Sequence, residues 1–193
     1  MKRLLTALSA CAAIALTAGS ATAAEVAYKL DEAHTETMFV IDRFGFNSVI
    51  GLFAKTQGTV WLDEAAPEKS RVEATIQVDS LLSANTVRDE HLKAARWLNA
   101  PVFPTMTFKS TKVEKTGADT AKVTGDMTIL GVTQPATLDV KLNKIGAAPN
   151  NPKRQAGFTI TGAISRKAFG SITGAGAIGD SVAIRIEALA IAQ

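Results

Sequence analysis

From Arg71 onward the chain alternates. In "RVEATIQVD", Val72, Ala74, Ile76 and Val78 fall on one side, and Arg71, Glu73, Thr75, Gln77 and Asp79 on the other. A period of two is the signature of a strand with one buried and one wet face. The pattern returns in "AKVTGDMTIL" (Val123, Gly125, Met127, Ile129) and "ATLDVKLNK" (Leu138, Val140, Leu142). It returns again in "FTITGAIS" (Phe158, Ile160, Gly162, Ile164) and "SVAIRIEAL" (Val182, Ile184, Ile186, Ala188), while "TMTFKSTKVEKT" adds Met106 and Phe108. Earlier strands are expected over residues 26–30, 37–44 and 55–62.

Most connections are short and carry Pro or Gly, as in "DEAAPEKS", "EKTGADT" and "LGVTQPA", which suits hairpins. Only "NKIGAAPNNPKRQAG" and the Gly-rich stretch after Phe169 read as long loops. With no repeat, linker or break in composition, the expectation is one all-β domain of about eight antiparallel strands. A sheet with one apolar face must close on itself or stack on a second sheet. A barrel lined by Val, Ala, Ile, Gly and Leu, in a chain with only 6% aromatics, leaves room for a ligand. A sandwich would fill its own interior. Periodicity alone leaves both open.

One stretch departs from the alternation. "TVRDEHLKAARWLN", residues 86–99, is rich in helix formers and predicts a helix, with Ser83 or Asn85 as its cap and Pro101 as its stop. Val87, Leu92, Ala95 and Leu98 suit an apolar face. Asp89 and Glu90 in the first turn, with Lys93 and Arg96 later, follow the helix dipole. Arg88 and His91 share a face, which either meets an anion or polar head or ties the helix to the sheet.

The beginning of the chain needs separate treatment. Lys2 and Arg3 precede an apolar run from Leu4 to Ala18, and A-x-A follows at Ala21 and Ala23. This is the layout of a secretory signal peptide over residues 1–23, leaving a domain over 24–193 and no stable membrane anchor after cleavage. Cys11, the single cysteine, falls within the signal. The stretch "LSAC" fits a lipidation pattern, but Arg3 lies close and the chain stays apolar afterwards, so the cysteine reads as incidental. The exported domain then has no disulfide and must rely on its core. Removing Lys2 and Arg3 takes the formal charge from +3 to +1. No Lys/Arg block of nucleic-acid type is present; "NPKRQ" reads as a short loop cluster.

Catalytic chemistry finds little support. After cleavage there is no Cys and only two His, and G-x-S-x-G is absent. His34 and His91 lack metal-ligand spacing such as H-E-x-x-H, so no metal is expected. "GAGAIG", residues 174–179, matches G-x-G-x-x-G, but a strand pattern follows it instead of a helix. It reads as a rim loop, and no cofactor is expected.

Four segments, "YKLDEAHTETMFVIDRFGF", "RDEHLKAARWLNAPVFPTMTFKST", "KVTGDMTILGVTQPATLDV" and "AGFTITGAISRKAFG", together resemble the YceI-like, polyisoprenoid-binding proteins of bacteria. The resemblance spans nearly the whole exported domain in order. It implies a lipocalin-like antiparallel barrel with one short helix between strands, a periplasmic location, an apolar channel for an isoprenoid or other amphiphilic lipid, and no general catalytic activity. His34, Arg88, Asp89, His91, Leu92 and the Gly131-Val132-Thr133 turn match the family's pattern. Arg43 and Phe44 stand where a Lys-His pair is common, which would alter a head-group contact.

Alternation, the aromatics and the resemblance together nominate an apolar lining drawn from Phe39, Ile41, Phe44, Phe53, Trp61 and Leu81 in the first half of the domain. Leu92, Trp97, Phe103, Phe108, Met127 and Phe158 supply the rest. His34, Asn85, Arg88 and His91 are the head-group candidates. The expected activity is binding by a monomer or homodimer, with no nucleic-acid partner. The alternatives are a small enzyme using His34 or His91 as acid or base, and a structural or stress protein with a filled core.

Overall fold

In the computed structural model, which describes residues 25–149 and 151–193, the alternating segments become eleven strands that pair antiparallel. They are β1 (Val26–Leu30), β2 (Glu36–Arg43), β3 (Asn47–Phe53), β4 (Thr56–Leu62), β5 (Arg71–Gln77) and β6 (Leu81–Leu82). After the helix α1 (Thr86–Lys93) come β7 (Thr105–Lys115), β8 (Thr120–Ile129), β9 (Val132–Ala148), β10 (Asn151–Ser165) and β11 (Ile178–Ala192). The expected signal peptide and Cys11 lie outside the described residues.

The order β1-β4-β5-β7-β8-β9-β10-β11 returns to β1 through Tyr28↔Ala192 and Leu30↔Ala190, so eight strands close a barrel. Closure removes the edges of that ring, while β6, paired only with β3, keeps one free edge at the helix end. Of the two architectures that periodicity allows, the chain takes the barrel, as the resemblance implies.

The other three strands extend staves already in the ring. β2 follows β1 along the same edge of β11, which pairs β1 near Ala190 and β2 from Ile178 to Glu187. In the same way β3 runs into β4, and β5 into β6. The three creases fall at one level, around residues 31–35, 54–55 and 78–80. Backbone groups freed there find partners across the belt: Asp31 N–H donates to Leu189 O (2.8 Å), Ala54 N–H to Ser80 O (3.1 Å) and Gln77 N–H to Lys55 O (3.0 Å). The buried hydroxyls of Thr37 and Thr56 join at 3.0 Å.

Four readings need correction. β3 was not expected, because "NSVIGLF" does not alternate. Val49, Gly51 and Phe53 face inward while Ile50 and Leu52 make the outer face apolar too, and the period disappears. The helix ends at Lys93, six residues early. Ala94 is already extended, and Leu98 N–H and Ala100 N–H fold back onto Leu92 O and Lys93 O. Val87 is 64% exposed, so it is not part of a buried helix face. Finally, "NKIGAAPNNPKRQAG" is no long loop and "NPKRQ" is not a loop cluster. β9 and β10 pair through this stretch, with register shifts between Asn151 and Arg154 and between Gly157 and Phe158 absorbing the irregular sequence.

A candidate ligand cavity

Inward side chains from all the staves enclose a cavity of about 670 Å³, inside the range of about 300–1,000 Å³ typical of small-molecule sites. Its middle is walled by Phe39, Phe53, Phe108, Phe158, Met127 and Ile160. Phe39 and Phe53 meet at 5.7 Å between ring centres, tilted by 42°. The packed core lies around this space: one cluster holds Val78, Leu81, Met106 and Phe169, and a second holds Tyr28, Leu30, Ala156 and Ala190.

The cavity reaches both ends of the barrel. At the helix end its rim carries Asp42, Arg43, Arg88, His91, Trp97, Arg166 and Ile178; at the far end it carries Asp63, Glu64, Ser70, Arg71, Lys115 and Asp119. Polar groups are therefore confined to the two rims, apart from the threonine hydroxyls at the crease.

At the helix end the local chemistry is built around Ser83. Asn85 caps α1, its side chain accepting from Arg88 N–H at 2.9 Å. The Ser83 hydroxyl donates to the buried Asp89 carboxylate and accepts from Arg88 Nε at 2.7 Å, while Arg88 Nη2 donates to Ser83 O. The guanidinium is thus held beside the cavity by backbone and hydroxyl oxygens, with no direct ion pair to Asp89.

Arg166 organises the other side of this rim. It is buried, and its guanidinium donates to the carbonyls of Gly179 (2.8 Å), Ser171, Thr173 (2.9 Å) and Ile178 (3.1 Å). These four bonds curl the 170–179 loop around one cation. Asp180 anchors the loop's return, accepting from Lys167 N–H at 3.0 Å and from the Ser165 hydroxyl at 2.8 Å. Those bonds, the Lys167 one first, hold its carboxyl below the usual value.

At the far end Arg154 makes two bonds to the Glu64 carboxylate, at 2.7 and 2.8 Å. The Tyr28 hydroxyl is buried without a hydrogen-bond partner. It lies close enough to Arg154 to raise that guanidinium's pKa, ahead of Glu64, without reaching hydrogen-bond geometry.

Of the twelve lining candidates, the cavity wall holds Phe39, Ile41, Phe53, Leu81, Leu92, Trp97, Phe108, Met127 and Phe158. The remaining three lie elsewhere. Phe44 is at the exposed tip between β2 and β3. Trp61 faces outward beneath Arg71, whose Cζ stands 3.5 Å from the ring centre. Phe103 lines a separate, smaller hollow of about 270 Å³ under the 170–173 segment.

Among the head-group candidates, Arg88 and His91 reach the rim, Asn85 is occupied as a helix cap, and His34 does not line the cavity. His34 is exposed, its Nδ1 lying 2.7 Å from Asp31 Oδ2. The resemblance pointed to Arg43 as part of an altered head-group contact, and it does reach the rim; sequence reasoning missed Arg166, for which its position in "AISRKAFG", one residue past an alternating strand, was the available signal. Among the described residues no group of three or more His, Cys, Asp and Glu is placed to hold a metal, and no helix is long and apolar enough to cross a membrane.

Comparison with known proteins gives a consistent answer. A YceI-like domain model matches residues 28–190. Protein YceI of Salmonella enteritidis is 38% identical over 184 residues, 94% of each chain. Among solved structures, the YCEI protein of Campylobacter jejuni is 29% identical, with a TM-score of 0.67 over 75% of this chain and 85% of its own. BcnA of Burkholderia cenocepacia (24% identity, TM-score 0.74, 83% and 98% covered) shares the fold. So does a polyisoprenoid-binding domain from Saccharophagus degradans (14%, 0.64, 87% and 99%).

Proposed function

The chain belongs to the YceI-like family, and from that premise we propose that it is a periplasmic binding protein. It holds one long apolar chain, a polyisoprenoid, an isoprenoid quinone or a fatty-acid-like amphiphile, inside the barrel for transport or storage. The observation that carries the reading is the cavity itself: about 670 Å³ of apolar space with polar groups confined almost wholly to its rims. A filled core would have favoured a structural role. The solved Saccharophagus degradans domain is described as polyisoprenoid binding, which supports the ligand class. The pattern over residues 1–23 supports export.

The energetics favour a chain-like ligand. Each buried CH₂ contributes about 0.8 kcal/mol, so ten carbons give roughly 8 kcal/mol before ordering costs, equivalent to micromolar affinity. Apolar burial supplies the affinity, and Arg88 and His91 orient the polar head at the helix end. We read the activity as binding without turnover: His34 does not line the cavity, and the cavity wall is apolar apart from its rims and the crease threonines.

The test is native mass spectrometry of protein purified without detergent, followed by solvent extraction. A released prenyl or fatty lipid supports the reading. In parallel, Ala188→Trp fills the wall from β11. This variant should stay folded by circular dichroism and lose uptake of labelled geranylgeraniol. An empty wild-type protein that also takes up none overturns the proposal.

A further inference from the structure

The large apolar side chains left on the surface are not spread evenly. Of the ten exposed among the described residues, only Val26 belongs to the far end. Six stand on separate projections at the helix end: Phe44 and Phe46 on the β2–β3 tip, Val87 on α1, Val102 before β7, Val132 at the β8–β9 turn and Ile172 in the 170–179 loop. They share that end of the barrel with the rim that carries Arg43, Arg88 and His91.

The β2–β3 tip is held in shape. Phe44 has φ of +58° and Gly45 +70°, and a bulky residue with positive φ is strained. Asp42 Oδ2 accepts from Gly45 N–H at 3.0 Å, and Phe44 N–H donates to Ala177 O at 2.7 Å, tying the tip to the 170–179 loop. The result is that Phe46, 90% exposed, is presented to solvent on a braced turn. The Arg43 guanidinium lies over the Phe44 ring at 4.7 Å.

Charge at this end also leans positive, with Arg43, Arg88, Lys93, Arg96, Arg166 and Lys167 against Asp42, Asp89, Glu90 and Asp180. The acids are engaged: Asp42 with the tip backbone, Asp89 with Ser83, Glu90 with Lys93 and Asp180 with the Lys167 backbone. Arg43, Arg96 and Lys167 form no side-chain ion pair among the described residues. Apolar tips interspersed with unpaired cations suit a surface with an apolar interior and anionic head groups. Projections from separate loops fit a deformable layer better than a flat, self-complementary protein face.

We propose that the helix end docks on an anionic lipid bilayer, inserting Phe46, Phe44 and Ile172 so that the cavity mouth meets the acyl layer. This rests on the lipid-binding reading and adds the route by which the chain enters: along the membrane surface, without crossing water.

The test separates docking from binding. Purified protein and Phe46→Ser/Ile172→Ser are floated with vesicles of phosphatidylethanolamine and phosphatidylglycerol. Both proteins are also given geranylgeraniol from ethanol, with no vesicles present. The expected result is vesicle association reduced by about tenfold or more in the variant, with uptake from ethanol unchanged. Equal association of the two proteins, or none by either, overturns docking. A variant that changes from dimer to monomer with no vesicle association in either protein also overturns it, and assigns the face to a second copy. Failure of both proteins to take up geranylgeraniol from ethanol overturns the lipid-binding reading instead, whatever the flotation shows.

Discussion

The ring of Phe39 lies so close over Gly51 that a β-carbon on Gly51 would stand 2.4 Å from Phe39 Cζ. The two are direct partners across β2 and β3, and Phe39 also leans on Phe53. The missing side chain on β3 is therefore what lets an aromatic ring lie flat against the wall instead of projecting into the cavity. Gly51→Ala should push the ring inward, cost about 1–3 kcal/mol in urea denaturation and weaken geranylgeraniol uptake. Unchanged stability and uptake would show that the ring has another place to go.

Ser83 is expected to be disproportionately important for a serine. Ser83→Ala leaves the Asp89 carboxylate, 6% exposed, without its hydroxyl donor and frees Arg88 Nε. A loss of about 2–3 kcal/mol is expected from chemical denaturation, with helix content reduced by circular dichroism. Asn85→Ala, which removes only the cap on Arg88 N–H, should cost less, about 1 kcal/mol.

Arg166→Met would leave the carbonyls of Ser171, Thr173, Ile178 and Gly179 without their shared donor. The 170–179 loop should then exchange its amide hydrogens at least about tenfold faster, measured by hydrogen–deuterium exchange, while the far end stays protected. Uniform protection across the barrel would refute the organising role.

Acid should loosen the same loop. Asp180 has its carboxyl pKa lowered from 3.8 by the Lys167 N–H and the Ser165 hydroxyl. A depressed carboxylate contributes stability that is complete above the unfolded value and is lost as pH falls through the folded one. The wild-type loop should therefore keep its proteolytic resistance down to about pH 4 and lose it below, whereas Asp180→Asn should lack this step.

The strands that could be read from the sequence are those whose outer face is wet. Val72, Ala74 and Ile76 alternate with Arg71, Glu73 and Thr75, and the barrel seats them as the pattern dictates. Legibility failed where the outer face is apolar as well, as with Ile50 and Leu52 on β3. It failed again where local propensity met a tertiary constraint: residues 94–99 are good helix formers, yet they turn back to cover the barrel end. Trp61 and Phe103 show the limit of choosing lining residues by type. Only pairing register separates Trp61, stacked outside under Arg71, from Phe108, which faces in. Arg166 left only its position just past β10 as a signal, because its partners are backbone carbonyls that carry no residue identity.

The ring is joined by its first strand meeting its last, with Tyr28 opposite Ala192. Nearly the whole length of the domain separates these partners, so the seam cannot form until β11 has been made and the long stretch of chain between them has been closed into a loop. Loop-closure entropy makes that step slow and places it late in folding. A growing chain can assemble the consecutive hairpins from β7 to β10 early, but it cannot enclose a cavity. For the export proposed above, in which the chain is threaded extended through a translocation channel, this delay is useful: the fold that would jam the channel waits for β11.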